Sequence, residues 1–176
     1  MIRGYVPADD PVLIENPKLL QPRCVYLAGP FFRAEQIVMN ELLRKACIHA
    51  GLSVFVPALD CRYTPGDPEI AADRAFHLNR YHISRSVFIL ADLTTPDTGT
   101  AWELGVGYAT NRAMLGVVNN SKAGLNLMVR NTVNALIHVD NLAGHLSALA
   151  VTLERGTSMA NAINAIGYSD WDGVQE

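Results

Sequence analysis

The stretch Ser86-Val-Phe-Ile-Leu-Ala-Asp92-Leu-Thr-Thr-Pro-Asp97-Thr-Gly-Thr-Ala-Trp-Glu103-Leu-Gly-Val-Gly-Tyr-Ala109 decides the fold. Its first part, through Ala91, is short, apolar and bounded by polar residues, the pattern of a strand buried on both faces of a parallel sheet. A polar loop follows, and then a helix from about Thr100 to Arg112. Carboxylates therefore sit where a buried strand hands over to a helix, which is where ligands gather in open α/β sheets.

Working outward, Cys24-Val-Tyr-Leu-Ala28 is a second apolar run, ended by the turn Gly29-Pro30. Apolar residues recur at helical spacing from Phe32 to Ala50, with Gly51 at the stop position. Ser53-Val-Phe-Val-Pro57 reads as a strand, followed by a loop rich in Pro, Gly and Asp from Ala58 to about Ile70 and a helix over Ala71–Ser84. Beyond the central stretch, Met114-Leu-Gly-Val-Val118 is a fourth strand. Asn119–Gly124 reads as a turn cluster and Leu125–Val133 as a short helix. Ala135–Val139 reads as a fifth strand, and Asn141–Arg155 as a helix capped by Asn141 and closed by Gly156. The Ala- and Asn-rich remainder allows one more short helix before the tail.

This alternation predicts an α/β fold: a doubly wound, flavodoxin/Rossmann-like five-stranded parallel sheet with helices on both faces and right-handed crossovers. Residues 1–22 carry four of the nine prolines and no sustained periodicity, and read as an extended arm ahead of a single domain over 23–176.

With 176 residues, 49% hydrophobic and 18% charged, the chain has the composition of a soluble globular domain with a full core. A net charge of -3 provides no broad basic field, which disfavours nucleic acid and anionic membrane as partners and favours a small molecule. Three cysteines without CxxC spacing argue against a disulfide framework or a zinc knuckle. No apolar run is long enough for a membrane span and no signal-peptide core is present, so a cytoplasmic location is expected.

Two ordinary readings stand beside any catalytic one. Thr100-Ala-Trp-Glu103 fits the capping box, and Asp92 and Asp97 suit a polar turn near Pro96 and Gly99. On spacing alone the capping box is the commoner case. The catalytic reading has its own physics: a carboxylate in the first turn of a helix is held ionised by the dipole and free N–H groups. Paired carboxylates, here Glu103 and Asp97, are the equipment of glycosidic bond cleavage. Gly105-Val-Gly107 lies inside the helix and lacks the rest of a dinucleotide fingerprint, so it reads as a close-packing feature. GxxxxGK[ST], HExxH and GxSxG are all absent from the sequence.

The chain resembles the nucleoside 2-deoxyribosyltransferase family, through Val25-Tyr-Leu-Ala-Gly-Pro-Phe-Phe32, Asp97-Thr-Gly-Thr-Ala-Trp-Glu103-Leu-Gly followed by Gly107-Tyr-Ala109, and Asn126-Leu-Met128. The resemblance implies transfer of a 2-deoxyribosyl group between nucleobases through a covalent deoxyribosyl-Glu intermediate, as part of nucleotide salvage. It makes Glu103 the nucleophile, Asp97 a base contact or proton aid, and Tyr26 a residue orienting Glu103 or the sugar. It places Phe31 and Phe32 against the base and counts Asp92 and Gly99 of the central loop among the substrate-binding residues. Asn126 and Met128 would complete a site, that of a neighbouring subunit in a homo-oligomer. No cofactor or metal is implied, and the partners are deoxynucleosides and free nucleobases. The tail Trp171–Glu176 is similar to tails that reach the family's site.

One position departs from the family pattern: Asn79, four residues before Ile83, stands where the family usually has Asp. Asn keeps hydrogen bonding but cannot deliver a proton, so leaving-group protonation would fall to Asp97, Asp92 or water. Two alternatives accompany the resemblance: a hydrolase of nucleosides or nucleoside 5′-monophosphates, and a nucleoside-binding module without turnover. Relatives that cleave monophosphates carry a Ser- and Gly-rich, Arg-containing loop after the first strand, whereas Gly29-Pro-Phe-Phe-Arg33 is apolar apart from Arg33.

Overall fold

The structure, a computed structural model, describes residues 24–61, 63–64, 66–120 and 124–168. The arm over residues 1–22 and the tail Trp171–Glu176 lie outside the described residues, as do positions 121–123 of the turn cluster.

Five strands, β1 (Cys24–Ala28), β2 (Ser53–Phe55), β3 (Ile89–Asp92), β4 (Met114–Val118) and β5 (Ala135–His138), form one all-parallel sheet in the order β2-β1-β3-β4-β5. The α/β architecture is therefore the expected one, and the strand order reverses between β1 and β3. The helices are α1 (Ala34–His49), α2 (Pro57–Asp60), α3 (Glu69–Arg85), α4 (Thr98–Ala109), α5 (Leu127–Thr132), α6 (Leu142–Glu154) and α7 (Met159–Ile166).

Side-chain alternation along the strands splits the core in two. Cys24, Tyr26 and Ala28 of β1 join Ile89, Ala91 and Met114 under α3 and α4. Val25 and Leu27 join Leu90, Leu115 and Ile137 under α1, α6 and α7. A parallel strand covered on both faces has no polar side to alternate with, which is why every residue of β1, β3 and β4 is buried. Gly107 lets α4 lie close on the sheet, since a Cβ there would stand 2.4 Å from Ile89 Cδ1. Gly105, by contrast, faces open space.

Several boundaries differ from the sequence reading for identifiable reasons. Pro57 opens α2 instead of ending β2, because its missing N–H costs nothing at the first helical position. β3 starts at Ile89, since Ser86 still caps the end of α3 through its N–H to His82 O. Asn141 holds the position before α6 but makes no side-chain cap, because it belongs to a 3₁₀ turn over Val139–Asn141 and has helical backbone angles.

Candidate active site

At the carboxyl end of the sheet the loops after β1 and β3 emerge side by side from the strand-order reversal. The α3/α4 face carries the central pair. Tyr26 is fully buried on β1, and its hydroxyl donates to Glu103 Oε1 at 2.5 Å. This bond joins residues 77 positions apart and pins α4 to the middle of the sheet.

The local sequence sets the position of Glu103. Asp97 adopts the extended N-cap conformation, and its Oδ2 accepts from the Thr100 N–H at 2.6 Å and the Thr100 hydroxyl at 2.8 Å. Asp is a stronger N-cap than Thr, so the helix starts at Thr98 and not after Thr100. The capping box over Thr100–Glu103 therefore does not form, and Glu103 is the sixth helical residue, beyond the first turn. Gly99 makes room for the fold-back of Asp97, because a Cβ there would stand 3.1 Å from Asp97 Oδ2.

The electrostatics also differ from the sequence reading. Burial pushes the Glu103 carboxyl up to about 8, with the negative charge of Asp97 adding to the rise and the Tyr26 hydroxyl opposing it. Desolvation outweighs any benefit from the helix dipole, which fades past the first turn. Tyr26 is raised well above the usual phenol range, by burial first and then by Glu103, so it stays a proton donor at working pH.

Around this pair the expected residues fall into three groups. Asn79 accepts from the thiol of Cys61 at 3.0 Å, and Cys61 belongs to the same buried cluster as Tyr26. Phe31 and Phe32 are exposed and stacked on each other, 4.8 Å between centroids, at the head of the loop after β1.

Asp92 takes the other face. It shares the parity of Leu90, its Cβ lies against Gly29 beside Asn40 of α1, and it is 1% exposed. Its Oδ1 accepts from the Thr94 N–H at 2.9 Å, and burial raises its carboxyl against the lowering effect of Thr94. It does not meet Glu103.

Asn126 and Met128 form the third group. Asn126 caps α5 by accepting from the Met128 N–H at 2.9 Å, and Met128 is 74% exposed. Together with Asp97, Ala101, Gly105 and Tyr108 they line a groove of about 730 Å³ between α4 and α5. Helical geometry puts Glu103 on the face of α4 opposite Ala101, Gly105 and Tyr108, so these residues are not brought to the Glu103 carboxylate of the same chain.

Two buried polar residues of α1 were not singled out from the sequence. Gln36 accepts from the N–H groups of Phe32 and Arg33, each at 3.0 Å, and Asn40 donates to Pro30 O at 2.6 Å. The available signal was a pair of amides spaced i, i+4 on the face that otherwise buries Met39, Leu43 and Cys47. Among the described residues no group of three or more His, Cys, Asp or Glu side chains is placed to hold a metal ion. No helix among them is long and apolar enough to cross a membrane.

The family described as nucleoside 2-deoxyribosyltransferase matches residues 25–161, well over half of the chain, and the chain belongs to it. Its class is that of enzymes transferring glycosyl groups. Among solved structures, a 2-deoxyribosyltransferase from Bacillus psychrosaccharolyticus is 23% identical with a TM-score of 0.63, over 68% of this chain and 90% of that one. A conserved protein from Enterococcus faecalis V583 is 18% identical with a TM-score of 0.50, over 87% and 91%. The CMP N-glycosidase BcmB of Clostridium botulinum is 18% identical with a TM-score of 0.49, over 72% and 97%. At these identities the likeness is one of fold. No curated protein matches the chain significantly.

Proposed function

We propose that this protein transfers the 2-deoxyribosyl group of a deoxynucleoside to a second nucleobase, with Glu103 as nucleophile. The observation that carries the reading is the desolvated Glu103 carboxyl, held by the buried Tyr26 hydroxyl at 2.5 Å where the strand order reverses. Ionised Glu103 attacks C1′ of the sugar, the N-glycosidic electron pair leaves with the base, and the base takes up a proton from water. A deoxyribosyl ester of Glu103 remains. The nitrogen of an incoming base then attacks C1′, restores the carboxylate and releases its own proton, with net retention. Burial suits this chemistry because a carboxylate stripped of water is a stronger nucleophile and the ester is shielded from hydrolysis.

Tyr26 orients the attacking carboxylate and steadies its charge. Asp97 fixes the start of α4 and contributes negative charge near the developing cation. Asn79, turned by the Cys61 thiol, supplies a hydrogen bond to the substrate and no proton. Phe31 and Phe32 offer a stacking surface for the base. Deoxynucleosides and free bases are the substrates, and a neighbouring copy supplies Asn126 and Met128 to each site.

The test is a base-exchange assay with each of the four deoxynucleosides as donor and free adenine and cytosine as acceptors. A 2-fluorinated deoxynucleoside is added to trap the ester. New nucleoside together with a mass increase on Glu103 is the expected result. Release of free base with no exchange would assign the chain to hydrolysis instead. Unchanged mass in folded protein, with neither product, would remove the enzymatic reading altogether.

A further inference from the structure

The parallel ladder between β1 and β3 ends at the pair Ala28 and Ala91. Past that point the two loops that frame the strand-order reversal share no backbone hydrogen bond among the described residues, yet Gln36 spans them. Its Oε1 accepts from the N–H groups of Phe32 and Arg33. Backbone N–H groups can only donate, so this pair fixes the amide orientation and turns Nε2 outward. Nε2 then donates to Thr95 Oγ1 at 3.3 Å, in the loop between β3 and α4. Gln36 is buried, and the side chain of Asn40 below it holds both Pro30 O, at 2.6 Å, and Gln36 O, at 3.0 Å. On the far side the Thr94 hydroxyl accepts from the Asn119 N–H at 3.3 Å, anchoring the same loop to the end of β4.

We propose that Gln36 and Thr95 are positioning residues, a latch that holds the Phe31–Phe32 loop against the loop carrying Asp97 and so presets the aromatic surface that receives the base. The inference rests on the transferase reading for its substrate. The latch itself stands on the hydrogen bonds. Without the Thr95 hydroxyl, the amide of Gln36 still holds its own loop, but the two loops are no longer tied to each other. Base binding must then order the aromatic pair each time, and such ordering costs affinity without touching the bond-breaking atoms.

Thr95→Val removes the hydroxyl at nearly constant shape, and Thr95→Ser keeps it. The expected result for Thr95→Val is a KM for the deoxynucleoside raised about tenfold with kcat within about threefold of wild type. Amide hydrogen exchange at Phe32 and Arg33 should be severalfold faster, and Thr95→Ser should restore both readouts. Gln36→Met should show the same KM effect with a larger exchange effect, and adding Thr95→Val to it should change KM no further. Thr95→Val matching wild type in KM and exchange would overturn the latch. So would Thr95→Ser matching Thr95→Val. If wild type neither transfers nor hydrolyses while the exchange pattern follows the hydroxyl, the function is wrong and the latch stands.

Discussion

Two carboxylates stand at the carboxyl edge of the same sheet, on opposite faces, Asp92 fully buried and Glu103 half-buried, and their surroundings differ in kind. Asp92, on the α1 face, takes the N–H of Thr94 two residues on and is closed in by Gly29 and Asn40. Glu103, on the α3/α4 face, takes a hydroxyl from β1, far away in sequence, and burial drives its carboxyl to about 8. A carboxylate bound by its own loop shapes that loop. The other answers to a donor on a different strand and is raised by desolvation, and the proposed chemistry is assigned to it for that reason.

The contrast breaks most directly at Glu103. Glu103→Gln should lower base exchange by roughly 10⁴-fold or more in the steady-state assay and abolish the trapped adduct by intact mass. The same variant should be more stable than wild type in alkaline buffer. Burial favours the protonated folded form, so wild-type stability declines as pH rises from the ordinary Glu value of 4.5 towards about 8, then levels off. Thermal melts of the two proteins should therefore lie close together at pH 5 and separate by pH 8.5. A constant gap across that range would contradict the raised carboxyl.

Tyr26→Phe comes next, with an expected loss of about 10²-fold in kcat/KM, the usual cost of one preorganised donor. Because the hydroxyl lowers the Glu103 carboxyl, its removal should also move the pH–rate profile upward. In wild type, kcat/KM should climb about tenfold per pH unit below about 8 and flatten above it, as ionised Glu103 becomes available. A profile already flat at pH 6 would show that the ionised form is held by something other than Tyr26.

Asp97 sharpens the comparison on the same helix. Asp97→Ala should cost about 0.5–2 kcal/mol of stability through the lost cap, whereas Asp97→Asn keeps the cap and most of that stability. Both remove a negative charge that raises Glu103, so both should shift the pH–rate profile downward, read from the same kinetic series. The smallest effect is expected at the other corner. Asp92→Asn preserves an acceptor for the Thr94 N–H, and exchange activity should stay within about threefold of wild type. A loss approaching that of Tyr26→Phe would place Asp92 with the chemistry after all.

Much of the architecture was legible in advance, for local reasons. Runs such as Val25–Ala28 and Phe88–Ala91 are apolar on both parities, which only a strand covered on two sides tolerates. The ends of elements were less legible where two caps competed. Thr100 and Glu103 had capping-box spacing, but the stronger Asp97 cap moved the start of α4, and Pro57 began a helix where it could equally have ended a strand. Asn141 had the right identity for a cap and the wrong backbone angles.

What the sequence determined by itself is the set of elements, their parallel arrangement and the family, because periodicity, turn chemistry and the motifs around Tyr26, Asp97 and Glu103 are local properties of the chain. Tertiary structure alone decided where each carboxylate lies. The parity of β3 sent Asp92 to the α1 face, and the turn of α4 set Glu103 opposite the groove lined by Asn126 and Met128. Packing of α4 on the sheet then closed Glu103 in against Tyr26, where desolvation reversed the ionised state that its place near a helix start had suggested. Burial and long-range donors depend on what lies on all sides of a group, and no local spacing encodes them.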